Sequence, residues 1–392
     1  MSERAATSGS LSSLREANRS LVVDTVRRYG GLTQVELAAA TGLSTATVST
    51  LVRELLAAGL VETTTTTRSG RRAQLVTLAK RVGLAVGVQI GHRHMRVALS
   101  DSTYEVLAEQ SLPLPPEHRV DTSLDRAALL AVDMLERVGG GLDDVVGIGV
   151  GLPAPVDSST GMVSVRGIMR GWDEVHLGHV LHKRLGRPVF VDNDANLGAL
   201  AESVLGAARE YRDSIFVRAS HGVGAGIVIS GRVHRGFAGT AGEIGHVQVD
   251  PAGDICRCGS RGCLDTIVGA QALVGPLRAN LGNVALRDVI QLAIDGDPGC
   301  QQVIADAGAQ IGAVVAGLGM AVNPQCIVVG GELAETGEVL LAPLREAVRR
   351  RVLLNQIAPL EVVPAALGQR SEVLGAIVLA VESSDFGGGG MP

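Results

Sequence analysis

The sequence predicts an α/β protein of two domains: a small helical head with a β-hairpin, then a large body of alternating strands and helices ending in a short tail. Three observations predict it. At 392 residues the chain is too long for one ordinary core. Apolar residues make up 46% of it and 51 residues are glycine, which describes a globular chain with many tight turns between strands and helices. The texture also changes near residue 82, from helical periodicity to glycine-punctuated strands such as "GLAVGVQI" and "DVVGIGVGLP". The expected domains are residues 1–82, residues 83–382 and a flexible glycine-rich tail over 383–392.

In the head, Leu14, Ala17, Leu21, Val22, Thr25 and Val26 recur at helical spacing, and Gly30-Gly31 ends that helix. A second helix starts at Thr33, which forms a capping box with Glu36, and Thr41-Gly42 supplies the turn after it. Ser44 caps a third helix whose buried stripe is Val48, Leu51, Val52, Leu55 and Leu56, leaving Thr45, Thr47, Ser49 and Arg53 outward. Two β-rich stretches around Arg68-Ser69-Gly70-Arg71-Arg72 then read as a hairpin with a basic tip. Helix, helix, turn, helix, hairpin is the winged helix-turn-helix order.

Such a module sets the first turn of its third helix against base edges, where short hydrogen-bonding side chains are needed. Ser44, Thr45, Thr47 and Ser49 meet that need. Arg71 and Arg72 of the wing are placed for the minor groove or phosphates. The alternative is a protein-docking module with a polar surface. Charge is uneven in the same sense: residues 1–82 hold 11 Lys+Arg against 6 Asp+Glu, or +5, and the remainder 24 against 34, or −10. A basic head on an acidic body fits a double-stranded DNA partner. No run reaches the roughly 18 uninterrupted apolar residues of a membrane span. The Ser-rich N-terminus lacks the apolar stretch of a signal peptide, so a cytoplasmic protein with no membrane partner is expected.

In the body the strand-helix alternation runs twice, with strands near 84–114 and 145–150 in one half and near 214–235 and 325–329 in the other. The segment "GEIGHVQVDPAGDICRCGSRGCLDT" sets His246 ahead of Cys256, Cys258 and Cys263. One imidazole and three thiolates are the ligand set of a structural zinc site, with no position left for a catalytic water. Gly259 and Gly262 let this loop turn tightly. The alternative is three buried thiols beside a core histidine. Cys300 and Cys326 read as plain buried thiols.

"AGEIGH" followed by "CRCGSRGCLD" resembles the signature of the ROK family of repressors and sugar kinases, and "GIGVGLPAPVD" and "VDNDANLGALAE" look like its earlier segments. The resemblance runs over nearly the whole chain, winged head included. It implies a two-lobed, actin-like and hexokinase-like (ASKHA) body that binds sugar between its lobes. Carried over, Asn193 and Asp194 match the pair that binds sugar hydroxyls, the aspartate being the base in kinases, and Glu243 and His246 match the sugar-binding Glu and His. Asp265 stands where the pattern has a glutamate. Carboxylates accept bonds from adjacent hydroxyls and an asparagine amide both donates and accepts, so the set suits a polyol. For "DNDAN" the alternative is a helix N-cap cluster. His246 is expected to turn one ring nitrogen to zinc and the other to a sugar hydroxyl.

Kinases of this family carry two phosphate loops, and this chain departs from both. The first pattern, Asp-x-Gly-Gly-Thr, falls on Gln89, Ile90, Gly91, His92 and Arg93; the second, Gly-Thr-Gly, falls on Ser220, His221 and Gly222. An acidic magnesium ligand and open backbone amides are lost where phosphoryl transfer needs them. The expectation is a non-enzymatic, sugar-responsive DNA-binding regulator, a repressor by resemblance. It takes a sugar or sugar phosphate as effector and binds its operator as a homodimer or homotetramer. An ATP-dependent sugar kinase with a fused DNA-binding head is the alternative, and an interaction scaffold a third.

Overall fold

The computed structural model describes residues 8–384 apart from 69–70, 80–82, 116–117, 158–159, 166–168, 170, 173–174 and 353–359. The head runs α1 (Ser8–Tyr29), β1 (Gly31–Thr33), α2 (Gln34–Thr41), α3 (Thr45–Ala57), β2 (Val61–Arg68) and β3 (Arg71–Leu78). Thr33 and Glu36 close the capping box on α2, and Gly42, at φ 72°, ends it in the left-handed region that glycine tolerates. Ser44 caps α3, its hydroxyl accepting from the Thr47 amide. The three strands pair in the order β1-β3-β2, all antiparallel, over a core that includes Val22, Val26, Leu37, Val48, Leu51, Leu55 and Val76.

The first helix differs from its sequence reading. It starts at Ser8, and its buried face is Val22, Val23, Thr25 and Val26, while Leu14 and Leu21 are exposed. Its first turns project beyond a core too small to cover them. Leu56 is likewise exposed, at the end of α3.

The body's first half comprises β4 (Leu84–Ile90), β5 (His94–Asp101), β6 (Val106–Pro113), α4 (Val120–Arg137), β7 (Val145–Leu152), α5 (Leu177–Leu185), β8 (Val189–Asn193) and α6 (Asp194–Val204). Its second half comprises β9 (Ser214–Ala219), β10 (Val223–Ile229), β11 (Arg232–Val233), α7 (Asp265–Val268), α8 (Ala270–Val274), α9 (Arg278–Leu281), α10 (Leu286–Ile294) and α11 (Pro298–Val322). It continues through β12 (Cys326–Gly330), α12 (Glu338–Arg351), β13 (Glu361–Pro364) and α13 (Ser371–Ser383). Two five-stranded sheets result, in the orders β6-β5-β4-β7-β8 and β11-β10-β9-β12-β13. Each has three antiparallel strands followed by two parallel ones, so the alternation read twice in the sequence is one sheet plan used twice.

Two helices join the halves. α6 packs on β9 and β10, α13 packs on β4 and β7, and the two lie against each other. They meet at backbone distance: a Cβ on Gly375 of α13 would stand 1.9 Å from the Leu197 carbonyl oxygen of α6, and one on Gly149 of β7 would stand 1.9 Å from the Ala376 oxygen of α13. At the far end of α6 the buried Glu202 carboxylate accepts bonds from the amides of Ala207, Ala366 and Leu367 and from the Ser371 hydroxyl. That fixes the end of α6 to the start of α13.

Among the described residues α11 is long and apolar enough by composition to cross a membrane, although Asp306 and Gln310 keep it from being an uninterrupted apolar run. Its Ile304, Ile311 and Val315 are buried in the second lobe, and Gly308 and Gly312 let α12 approach closely. Of the span 383–392 read as a tail, Ser383 closes α13 and Ser384 is buried, and residues 385–392 lie outside the described residues.

Candidate functional site

Of the carboxylates singled out in the sequence, Asp194 lies at the start of α6, the helix that packs on the second sheet and on α13. Asn193 is the N-cap of α6: the side-chain oxygen accepts from the amides of Ala195 and Asn196, and the side-chain nitrogen donates to the Ala154 oxygen at 3.0 Å. The capping alternative therefore describes Asn193, which keeps one N–H for a ligand. Asp192 is buried behind it and accepts from the Asn193 amide, the Asn196 side chain and Arg235.

Asp194 follows in the first turn. It is 5% exposed, and its Oδ2 is buried without a hydrogen bond. The cation nearest to it is Arg218 on β9, a residue that the sequence reading missed. The Arg218 Nε donates to Glu372 on α13 at 2.8 Å and lies 3.2 Å from Asp194 Oδ2. Glu372 and Arg218 are both buried. Burial raises the Asp194 carboxyl to about 6, with Arg218 acting against that shift. Burial pulls the Arg218 guanidinium the other way, but Asp194 and Glu372 outweigh it and hold its pKa above the ordinary value.

Glu243 and His246 come from the loop that follows β11. Burial, with Asp194 and then Asp265 as negative neighbours, pushes the Glu243 carboxyl up to about 7. That places Glu243 in the field of Asp194, across the lobe junction. His246 points both ways: its Nε2 is 3.9 Å from Glu243 and its Nδ1 is 3.5 Å from the Cys256 sulfur. Asp265 is taken up differently. Its Oδ1 accepts from the Val223 amide at 2.8 Å, and its Oδ2 is 3.5 Å from Arg257, so it fixes the start of β10 as well as facing the site.

The ligand atoms of His246, Cys256, Cys258 and Cys263 all lie within 4.8 Å of one another. The Cys258 and Cys263 sulfurs are 3.7 Å apart, with no disulfide. Thiolates at tetrahedral corners around zinc stand about 3.8 Å apart, so the donor set fits zinc in type and spacing. Gly259 and Gly262 both have positive φ, and a Cβ on Gly262 would stand 1.5 Å from the Asp250 oxygen. Cys300 and Cys326 are buried singly in the second lobe.

The two altered phosphate loops face each other across the cleft. The His92 and His221 rings are 6.1 Å apart between centroids. Burial, with Arg257 and further cations, pushes the His92 imidazole down to about 3, so it is neutral. His221 Nδ1 is 3.4 Å from Glu332, and the Ser220 hydroxyl donates to the same carboxylate. Against the upward push of burial, these partners hold Glu332 down at about 2. Gln89 is buried at the place of the acidic magnesium ligand. A cleft of about 940 Å³ is lined by Arg93, His94, His221, Arg287 and Glu332, among others, and not by Asp194 or Glu243.

In the head, Ser44, Thr45 and Arg53 are exposed and Thr47 and Ser49 half-buried. Ser44 and Thr47 are bonded to each other, hydroxyl to hydroxyl at 2.8 Å, as part of the α3 cap. Arg72 is exposed on β3 opposite Thr67; the Arg71 backbone lies in the same strand, and its side chain is outside the described residues.

A MarR family profile matches residues 16–72. Over the whole chain, the xylose repressor of Caldicellulosiruptor bescii is 28% identical across 388 residues, covering 94% of this chain and 96% of its own. The DNA-binding transcriptional dual regulator NagC of Escherichia coli is 31% identical across 386 residues, covering 95% and 94%. Among solved structures, a ROK family transcriptional regulator described as a homolog of the E. coli MLC protein superposes with a TM-score of 0.79 at 27% identity, covering 96% of this chain and 98% of its own. A ROK family glucokinase from Streptomyces griseus, in complex with glucose and AMPPNP, gives 0.66 at 29% identity over 76% of this chain and 99% of its own. The ROK family profile matches residues 85–383, and the chain belongs to the ROK family.

Proposed function

We propose that this chain is a sugar-responsive DNA-binding transcriptional regulator, acting as a repressor of carbohydrate genes. An effector sugar or sugar phosphate binds between the lobes, and heads paired in a homodimer or homotetramer bind a double-stranded operator. The observation that carries the reading is Asp194 Oδ2, buried and without a hydrogen bond at the lobe junction, in a chain whose phosphate loops are occupied by His92 and His221. Arg218 offers this oxygen charge at 3.2 Å but no hydrogen bond, and a ligand hydroxyl would supply the missing one. The two relatives, a xylose repressor and a DNA-binding transcriptional dual regulator, support the same reading.

Within this reading Asp194, Glu243 and His246, with the free N–H of Asn193, accept and donate to sugar hydroxyls, while Asp265 acts mainly by fixing the turn before β10. Residues 1–82 form the DNA-binding unit and 83–384 the sensing body, in the cytoplasm where the operator lies. Ser44, Thr45, Thr47, Ser49, Arg71 and Arg72 supply the DNA contacts, with Thr45 and Arg72 the freest of those whose side chains are described. Zinc, held by His246, Cys256, Cys258 and Cys263, is a structural crosslink that holds the imidazole toward Glu243. The chain is not an enzyme in this reading. The retained Asp194 and the likeness to a glucokinase favour one competitor, sugar phosphorylation.

A sugar present at ~100 times its Kd stabilises the folded chain by about 2.7 kcal/mol. A thermal-shift screen of D-glucose, D-xylose, N-acetyl-D-glucosamine and their phosphates is therefore expected to give one clear rise in Tm, lost in Asp194→Asn. A coupled ADP-release assay with the same sugar should show no turnover; robust turnover establishes the kinase. Metal analysis should find about one zinc per chain, falling sharply in Cys258→Ser. Tm should fall with the metal, by about 2 °C for each ~1 kcal/mol lost, the low end of the range because the body is large. In a gel shift, the double variant Arg71→Ala with Arg72→Ala should weaken operator binding and flatten its salt dependence by about 0.9 per lost phosphate contact. Unchanged binding removes the wing from the interface.

A further inference from the structure

One ionic group at each end of α13 belongs to something other than α13's own packing. At its first turn Glu372 is bonded to Arg218, which is shared with Asp194. In its last turn Glu382 lies in the field of Arg27 and Asp24, both on α1 of the head. The Arg27 guanidinium is bonded to Asp24 at 3.0 Å and sits 5.8 Å from the ring centroid of Tyr104, a body residue between β5 and β6. Val23 and Leu60 of the head meet Val146 and Val381 of the body around a small void of about 20 Å³.

The two ends are packed unequally. Along its length α13 has no slack: a Cβ on Gly87, Gly147 or Gly149 would stand 2.5, 2.8 or 1.9 Å from carbonyl oxygens of α13. Its Gly375 meets α6 equally closely. A helix seated backbone to backbone on a sheet and on a second helix moves with them or not at all. The junction with the head is looser. Arg27 Nε and the Tyr104 hydroxyl are both buried there without hydrogen-bond partners, and Tyr104 holds a φ of 68°. Unsatisfied polar groups around a void permit a second arrangement at small cost.

We propose that α13 is the element that couples the Asp194 site to the DNA-binding head. Through Arg218 it is tied to the carboxylate that receives the ligand, and at its other end Val381 and Ser384 line the same void as Val23 and Arg27 of α1. This rests on the reading of Asp194 as a sugar contact. A hydroxyl donated to Asp194 Oδ2 offsets the charge that holds Arg218 between two carboxylates and leaves Arg218 to Glu372. The shift at the start of α13 is carried over ten residues, about 15 Å of helix, to Glu382. Arg218, Glu372, Glu382 and Arg27 are thus positioning residues, and no DNA or sugar contact is asked of the last two.

Hydrogen-deuterium exchange on the full chain tests this. With whichever of D-glucose, D-xylose, N-acetyl-D-glucosamine and their 6- or 5-phosphates binds, exchange should slow in residues 189–204 and change at least ~3-fold in residues 21–29. In Glu382→Gln the sugar should still protect 189–204, with the change in 21–29 reduced to less than half. Arg27→Gln probes the same junction from the side of α1, should either variant fold poorly. A sugar that protects 189–204 of the unaltered protein with no change in 21–29 overturns the coupling and leaves the sugar site standing. If none of these sugars protects 189–204, the sugar reading fails. The coupling is then decided by Asp194→Asn alone, which should alter exchange in 21–29 and overturns the proposal if it does not.

Discussion

Arg218 carries its charge where only 8% of the residue meets solvent, and the body is arranged to make that tenable. A buried guanidinium without partners is among the most costly groups a core can hold. Here two carboxylates answer it, one from the first turn of α6 and one from the first turn of α13. The three groups come from the second sheet and from the two helices that cross between the lobes. Their pairing therefore fixes the relative placement of three elements at the point where the lobes meet. The allocation is uneven, because the Arg218 Nε hydrogen bond goes to Glu372 and leaves Asp194 Oδ2 with charge but no hydrogen bond. One side of the triad is thus structural and the other is open to a ligand.

The surroundings allow that chemistry and restrict others. A duplicated sheet gives two lobes with a helix from each at the junction, and the glycines of β4 and β7 let α13 sit close enough for its first turn to reach Arg218. In the zinc-type cluster His246 faces Glu243 with one nitrogen and a cysteine sulfur with the other. The positions that match the kinases' phosphate loops carry two imidazoles 6.1 Å apart and a buried glutamine. On the proposed reading a polyol would find acceptors here, while Gln89 stands where the kinase pattern has its acidic magnesium ligand.

Much of this was legible in the sequence because it rests on local rules. The Thr33 capping box, the left-handed Gly42, the Ser44 cap and the hairpin after it are set by residues within a few positions of one another. The Cys256, Cys258 and Cys263 spacing signalled a metal-type loop for the same reason. What was missed depends on distance in sequence. Arg218 and Glu372 are 154 positions apart, and neither belongs to a motif. A signal was nonetheless present: an arginine in the strand "SIFVRAS" and a glutamate opening the helix "SEVLGAIVLAV" are charges in otherwise apolar elements, which demand a partner. Asn193 shows the converse case, a residue that fitted both a ligand role and a cap, where only the observed bonds to Ala195, Asn196 and Ala154 show how far the cap uses it.

Crystals of the full chain soaked together with a stabilising sugar, Mg²⁺ and a non-hydrolysable ATP analogue test the central claim most directly. The account predicts a sugar hydroxyl within hydrogen-bond distance of Asp194 Oδ2 and no ordered triphosphate between His92 and His221. An ordered triphosphate aligned with that hydroxyl would contradict it.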